Sequence, residues 1–248
     1  MQVTAIKTHK ITEKDTDILA VLDRYLPKLK DGMVVAIASK IISITEGRVA
    51  PMTKKKDELV REESELYIPA SENPYNINLT ITRNMLAAGA GIDESNANGK
   101  YILWPRDPQS SANLIRKHLR AKHSIRDLGV IITDSRTTPM RWGVTGVVLG
   151  YSGFKPLKDY IGTPDIFGRA FQFEKLSIID TLASAAILVT GEGNEQTPLA
   201  MISDVPLVSF VDHDPTPQEL EDLAITIDMD LYGQFLKNAN WRKGKRKK

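Results

Sequence analysis

Short apolar runs of the kind found in buried strands alternate with amphipathic segments along the whole 248-residue chain. The run at 33–38 predicts one buried strand, and the run at 128–133 predicts another that ends at Asp134. Apolar positions at helical spacing predict a helix over 174–190, which Gly191 would terminate. A chain that mixes strands and helices in this way is expected to adopt an α/β or α+β fold.

The remaining segments continue this mixture. Strands are predicted at 2–7, 78–83 and within 198–211, and helices at 16–29, 54–66 and 109–122. A last helix is predicted to run to about residue 231 from the start sequence Thr216-Pro217-Gln218-Glu219. The glycines between 143 and 168 predict tight turns and close backbone approaches.

Cysteine is absent from the sequence, which excludes disulfide bonds, thiolate zinc sites and a cysteine nucleophile. Any metal site must therefore use oxygen ligands or the four histidines. No apolar run approaches the roughly 18 residues that cross a bilayer, and the first residues lack the apolar core of a secretion signal. We therefore expect no membrane partner and a cytoplasmic location.

The C-terminal residues 242–248 contain six basic side chains, and without them the chain carries 27 basic and 31 acidic residues. A basic end beside an acidic body predicts a solvated, disordered tail at 242–248. The alternative is a non-catalytic nucleotide- or RNA-binding protein that uses this tail and binds in a salt-sensitive way. Aromatic residues make up only 6% of the chain and, apart from Trp241, none interleaves with the tail. This composition argues against a nucleic-acid partner.

Several standard active-site motifs are missing from the sequence. It contains neither the G-x-x-x-x-G-K-[ST] phosphate loop nor the G-x-G-x-x-G dinucleotide fingerprint. It also lacks the H-E-x-x-H zinc motif and the G-x-S-x-G hydrolase elbow. The sequence therefore gives no motif evidence for these common nucleotide, zinc-protease or hydrolase sites.

Three acidic residues each follow an apolar segment and precede a turn, namely Asp93, Asp134 and Glu192. Carboxylates at the ends of such elements can converge on one cleft, where their oxygens suit Mg²⁺ or Mn²⁺. Ser135 would add a hydroxyl oxygen beside Asp134. The residues alone leave other roles open, because Asp93 and Asp134 also suit turns or caps and Glu192 suits a solvated loop.

A series of motifs resembles the F420-0:γ-glutamyl ligase family and keeps the family's order over roughly residues 3 to 205. The matching segments are 39–43 with 46–48, 90–96, 107–112, 129–135, 165–169 and 182–192. The pair Ala-Gly-Ile-Asp-Glu-Ser-Asn at 90–96 and Gly-Val-Ile-Ile-Thr-Asp at 129–134 is the most specific part of the resemblance.

The resemblance implies an α+β fold, a mixed α/β fold of the ligase type that is not a P-loop or Rossmann domain. Residues 1–241 would form a single ligase unit or two intimately packed subdomains. It implies a homodimer that uses GTP with Mg²⁺ or Mn²⁺ to add L-glutamate to the carboxylate of coenzyme F420-0. An acyl phosphate would be the intermediate, because hydroxide is too poor a leaving group for direct condensation.

The resemblance also assigns roles to individual residues. The metal positions would be Asp93, Asp134, Ser135 and Glu192. The nucleotide positions would be Ile11, Thr12, Glu13, Lys14, Ser39, Lys40, Asn96, Gly191, Gly193 and Asn194. We expect the catalytic groups to be Asp134, Lys40 and Arg141, of which Arg141 would clamp the anionic acceptor, with Arg48 as a further positive charge.

The sequence departs from the family pattern near the expected substrates. Ile44 stands where many members have lysine, and the turn at 136–143 keeps only Arg141 and Gly143 of the usual G-R-x-x-R-x-G. The altered turn motivates a second hypothesis for the acceptor, in which a folate or another small carboxylate receives the γ-linked glutamate.

Overall fold

The structure is a computed structural model that describes residues 1–246. Within this range the strands are β1 (Gln2–Ile6), β2 (Met33–Ala38), β3 (Val49–Pro51), β4 (Leu66–Ile68), β5 (Leu79–Thr82), β6 (Met85–Ala88), β7 (Lys100–Ile102), β8 (Leu128–Thr138), β9 (Arg141–Ser152), β10 (Leu157–Asp159), β11 (Lys175–Ser177), β12 (Leu199–Ser203) and β13 (Arg242–Lys243). The α-helices are α1 (Ile18–Tyr25), α2 (Ser39–Thr45), α3 (Lys56–Glu63), α4 (Pro108–His123), α5 (Ile178–Thr190), α6 (Pro217–Leu223) and α7 (Gly233–Asn238). The mixture confirms the predicted α+β class.

A five-stranded sheet in the order β1-β12-β2-β8-β9 forms the centre of the fold. Strands β2 and β8 are parallel, whereas β1, β12 and β9 are each antiparallel to their neighbours. Helix α4 lies in the connection between β2 and β8, where a parallel pair requires a long crossover. The parallel pairing brings the carboxyl ends of β2 and β8 to the same edge of the sheet.

Both faces of this sheet are covered, which explains why β2 and the first five residues of β8 contain no polar side chain. On one face Val35 and Ile37 pack with α1, α2 and α4. On the other face Val34 and Ala36 pack with α5. Successive side chains of a strand point to opposite faces, so one apolar run supplies both cores.

Two glycines of β9 allow helices to approach the sheet closely, as the glycine-rich middle predicted. A Cβ at Gly146 would lie 2.3 Å from the backbone carbon of Ala183 in α5. A Cβ at Gly150 would lie 2.4 Å from the carbonyl oxygen of Pro108 at the start of α4. Real side chains do not tolerate such distances, so glycine is required at both positions.

The C-terminal segment does not form the predicted disordered tail in the part that the structure describes. Strand β13 pairs with β4 and completes a second sheet in the order β13-β4-β5-β6. Arg246 then forms ion pairs with Glu63 at 3.6 Å and Glu65 at 3.3 Å. The prediction was wrong for 242–246 because Glu63 at the end of α3 and Glu65 just before β4 pair with Arg246, and Glu72 pairs with Arg242. Its remaining two residues, 247 and 248, lie outside the described residues.

Three other expectations need correction. Asp134 does not end its strand, because β8 continues to Thr138 after a register shift at 132/133. The helix predicted at 174–190 begins at Ile178, after the short strand β11. The last predicted helix stops at Leu223, where the chain becomes extended before β-branched residues that favour helix weakly.

No helix among residues 1–246 is both long enough and apolar enough to cross a membrane.

Candidate active site

A cavity of about 680 Å³ opens at the sheet edge where β2 and β8 bring their carboxyl ends together. Its walls come from the segment after β1, the start of α2, the loop around Asp93, the middle of β8 and the loop after α5. The carboxylates predicted to bind metal, Asp93, Asp134 and Glu192, all line this one cavity, as does Ser135. Segments that are distant in sequence therefore meet at one cavity.

Lys40 supplies a positive charge beside the carboxylates. Strand β2 passes directly into α2, which places Ser39 and Lys40 in the first helical turn at the cavity wall. The Lys40 Nζ lies 2.6 Å from Asp93 Oδ2 and donates hydrogen bonds to the backbone oxygen and hydroxyl of Ser95, both at 3.1 Å. The ammonium is therefore held between two polar residues and does not extend freely into solvent.

The loop that carries Asp93 is fixed by backbone pairing. Asp93 and Ile102 exchange two backbone hydrogen bonds of 2.9 Å. The side chain of Asp93 also accepts a 2.7 Å bond from the backbone N–H of Ser95. Burial disfavours the charged form of Asp93, but the bonds from Lys40 and Ser95 outweigh it and hold the pKa of Asp93 below its usual range.

Asp134 lies just after the irregularity in β8, at the back of the cavity. Its Oδ1 accepts a 2.8 Å bond from the backbone N–H of Ser135, and its Oδ2 accepts a bond from the indole N–H of Trp104. Burial nevertheless raises the pKa of Asp134 to about 6, and the negative charge of Asp93 adds to this effect. A carboxylate in such a position is stabilised by any cation that enters the cavity.

Glu192 completes the acidic group. Gly191 caps α5 with φ +74°, a conformation that suits glycine, and turns the chain so that Glu192 faces the cavity. Burial raises the pKa of Glu192, with a further contribution from Asp93, although a hydrogen bond from the Ser135 hydroxyl partly opposes this. All three carboxylates border the same cavity, so their charges act on one region.

The chemistry of these donors fits a hard divalent cation. Three carboxylates and a hydroxyl offer oxygen ligands of the type that Mg²⁺ and Mn²⁺ prefer. Within residues 1–246, no three His, Asp or Glu side chains already stand close enough together to hold a metal ion. Asp93 is instead turned toward Lys40 and Asp134 toward Trp104. Binding of a cation at this site would therefore require the carboxylates to draw together.

Most of the predicted nucleotide residues also line the cavity. They are Ile11, Thr12, Ser39, Lys40, Asn96, Gly191, Gly193 and Asn194. Asn96 Nδ2 donates a 2.8 Å hydrogen bond to the Gly193 backbone oxygen and so joins two of the walls. Glu13 and Lys14 do not line the cavity, and Glu13 is paired with Lys100 outside it.

The two predicted arginines lie elsewhere. Arg141 is at the tip of the β8–β9 hairpin, exposed and away from the cavity lining, so its role toward the acceptor stays a prediction. Arg48 lies behind the cavity, where it pairs with Glu63 at 2.7 Å and donates a 3.0 Å bond to the Trp104 backbone oxygen. Arg48 therefore supports the wall and does not face the cavity.

Sequence reasoning missed two groups that shape this site. Trp104 bonds directly to Asp134, yet a lone tryptophan after a short strand has no motif that marks it. His9 lines the cavity and bonds to Tyr25 at 2.7 Å and to Asp15 at 2.8 Å, while Asp15 accepts a 2.8 Å bond from the Thr12 N–H. This network anchors the 8–12 wall to α1, and its pairings are visible only in three dimensions.

Comparison with known proteins identifies the family of the chain. The family model described as F420-0:Gamma-glutamyl ligase matches residues 5–204. A protein of Methanopyrus kandleri named coenzyme F420:L-glutamate ligase is 37% identical over 201 residues, covering 73% of this chain and 79% of the relative. A protein of the same name from Methanothermobacter thermautotrophicus is 33% identical over 210 residues, covering 76% and 81%.

A third relative of that name, from Halobacterium salinarum, is 31% identical over 247 residues and covers 89% of this chain and 91% of its own. The matched region contains every residue that lines the cavity. The chain therefore belongs to the F420-0:γ-glutamyl ligase family.

Proposed function

We propose that this protein is a GTP- and divalent-metal-dependent ligase that adds L-glutamate to coenzyme F420-0 through an amide bond. The convergence of Asp93, Asp134, Glu192 and Lys40 on one cavity is the observation that carries this proposal. The names of the relatives support the acceptor and the amino acid. We further propose that the reaction takes place in the cytoplasm.

The chemistry begins with activation of the acceptor. A carboxylate oxygen of the acceptor attacks the γ-phosphorus of GTP, and GDP leaves as the acyl phosphate forms. The glutamate amine then attacks the acyl carbon, phosphate leaves, and the amine loses a proton. Both steps depend on neutralising phosphate charge more than on covalent help from the protein.

We assign different roles in these two steps to the residues of the cavity. Asp93, Asp134, Glu192 and Ser135 would hold the divalent cation, which supplies positive charge beside the transferred phosphoryl group. Lys40 brings a second positive charge to the same wall and can exchange Asp93 for a phosphate oxygen. Ile44 and Ile187 give the cavity an apolar side that suits a flat base.

We also propose that the protein is a homodimer. The tip of the β8–β9 hairpin exposes Met140 and Trp142, and the loop between β10 and β11 exposes Ile166, Phe167 and Phe173. Monomeric proteins rarely expose large patches of such apolar side chains to solvent.

The mass of the protein in solution tests this proposal. Light scattering is expected to give twice the chain mass, and the double variant Met140→Ser with Trp142→Ser is expected to be a monomer. Leu114→Ser, which changes an exposed residue of α4, is the matched control.

Product mass tests the proposed function. Purified protein is incubated with GTP, Mn²⁺, L-glutamate and either F420-0 or a folate. A gain of about 129 Da on F420-0, the mass of one glutamyl residue, is expected. The same gain on the folate alone would favour the second acceptor hypothesis, and no gain on either would sink ligase activity.

A further inference from the structure

Trp104 is buried at 6% exposure against the back of the cavity, and its indole N–H donates to Asp134 Oδ2. We propose that Trp104 is a positioning residue that fixes the orientation of the Asp134 carboxylate. This proposal rests on the proposed function, because it concerns how that site is held ready for a cation. It gives a role to a residue that no sequence motif marks.

The indole is locked in place from two sides. A Cβ on Gly91 would lie 2.1 Å from the Trp104 ring, so the ring occupies the space that any other residue at 91 would need. From behind, Arg48 donates its Nε–H to the Trp104 backbone oxygen at 3.0 Å, and Glu63 holds the same guanidinium at 2.7 Å. Leu103 N–H bonds to the Arg48 backbone oxygen at 3.0 Å and fixes the adjoining backbone.

This rigid donor decides which way Asp134 points. The Ser135 N–H holds Oδ1 at 2.8 Å while Trp104 holds Oδ2, so the carboxylate is gripped at both oxygens. Each oxygen keeps a further lone pair for a ligand in the cavity. An indole N–H only donates, so Trp104 cannot itself bind a cation, and its effect must pass through Asp134.

Trp104→Phe is the direct test, since it keeps an aromatic ring at this buried position and removes the N–H donor. Loss of such an outer contact typically weakens metal affinity or activity about 10- to 100-fold. We expect Mn²⁺ affinity in the presence of GTP, measured by electron paramagnetic resonance, to fall by about that factor. We expect kcat to fall with it, while the KM for glutamate stays unchanged.

The chain offers a matched control in Trp241, whose indole N–H donates to the Leu236 backbone oxygen at 2.6 Å, outside the cavity lining. Trp241→Phe removes an equivalent bond and is expected to leave Mn²⁺ affinity and kcat at wild-type levels. A second variant, Arg48→Lys, keeps the charge opposite Glu63 but loses the Nε–H that holds the Trp104 backbone. It is expected to weaken Mn²⁺ affinity several-fold even if Trp104→Phe folds poorly.

The outcomes separate the two proposals. Wild-type Mn²⁺ affinity in both Trp104→Phe and Arg48→Lys, with an active parent enzyme, would overturn the positioning role alone. A parent protein that binds neither Mn²⁺ nor GTP would overturn the proposed function, and the role of Trp104 with it. Weakened Mn²⁺ affinity with an unchanged melting temperature would support the proposal, because a purely structural role would lower stability instead.

Discussion

The ammonium of Lys40 and the carboxylate of Asp93 lie 2.6 Å apart, at the point where a metal ion and a phosphate would meet. A divalent cation and Lys40 would compete for Asp93. We infer that Lys40 moves from Asp93 to a phosphate oxygen when nucleotide and metal enter together. This exchange would link metal binding to nucleotide binding.

Replacing Lys40 with methionine tests this link. The kcat/KM for GTP is expected to fall at least about 10-fold, since a hydrogen bond to a charged group is lost. Mn²⁺ affinity without nucleotide is expected to stay equal or increase, since the competing cation is gone. Steady-state kinetics measure the kcat/KM for GTP, and titration calorimetry measures the affinity for Mn²⁺. Lys56→Met is the control because Lys56 pairs with Glu94 at 2.7 Å outside the cavity lining. Weaker Mn²⁺ binding in Lys40→Met would contradict the competition.

Asp134→Asn is expected to reduce turnover about 100-fold or more, because it removes a charge that helps to hold the cation during phosphoryl transfer. The fold should persist, since β8 is held on both sides by β2 and β9. Product formation and circular dichroism measure the two effects. Asp222→Asn on α6 is the matched control, and normal turnover in Asp134→Asn would remove this residue from the site.

The cavity also predicts a pH dependence. Burial raises the pKa of Asp134 to about 6 and raises that of Glu192, so both carboxyls keep protons that exposed ones would lose. Metal binds their charged forms, so Mn²⁺ affinity is expected to fall as the pH drops through about 6.

The stability of the free protein changes in the opposite direction. The folded pKa of Asp134 lies above its ordinary value of 3.8, so its contribution to stability is lost as pH rises through about 6. The gain in melting temperature from Mn²⁺ with GTP should thus be large at about pH 7.5 and small at about pH 5. Thermal shift scans across this range measure it, and an equal gain at both pH values would refute the assignment.

The C-terminal strand gives a prediction on stability. A Cβ on Gly244 would lie 1.9 Å from the Ser64 backbone oxygen, so Gly244→Ala is expected to detach β13 from β4. Faster proteolytic cleavage after residue 242 would show that the strand is released, and Lys243→Ala is the control for a change of side chain alone.

The same segment gives a prediction on RNA binding. Arg242 and Arg246 pair with acidic residues of the chain, so removing residues 242–248 is expected to leave RNA binding unchanged. Salt-sensitive RNA binding that vanishes with the deletion would revive the alternative.

The elements with strong periodicity were predicted from sequence, and those set by distant partners were not. Strand β2 matched its predicted bounds because six consecutive apolar residues are buried or nearly so. Helix α1 proved shorter than predicted because Pro27 disfavours helical backbone at Leu26, where the chain becomes extended.

The candidate site, like the fold, could be predicted from the sequence only in part. Residue type and position alone left Asp93, Asp134 and Glu192 open to turn, cap or loop roles. The family resemblance grouped them into one expected site, and the structure places all three along one cavity. The support from Trp104 and Arg48 depends on which backbone atom each side chain reaches across the fold. A single sequence does not encode such contacts in any local pattern.

Gly146 pairs with Ser135 across the sheet, and its N–H donates to Ser184 Oγ in α5 at 3.2 Å. The missing side chain at Gly146 therefore sets how closely α5 approaches β9. Helix α5 ends at Gly191, and Glu192 follows directly. The distance between α5 and the sheet therefore also determines how far the Glu192 carboxylate lies from Ser135. One extra methyl group in the sheet would therefore displace the Glu192 carboxylate, which lies at the far end of the helix.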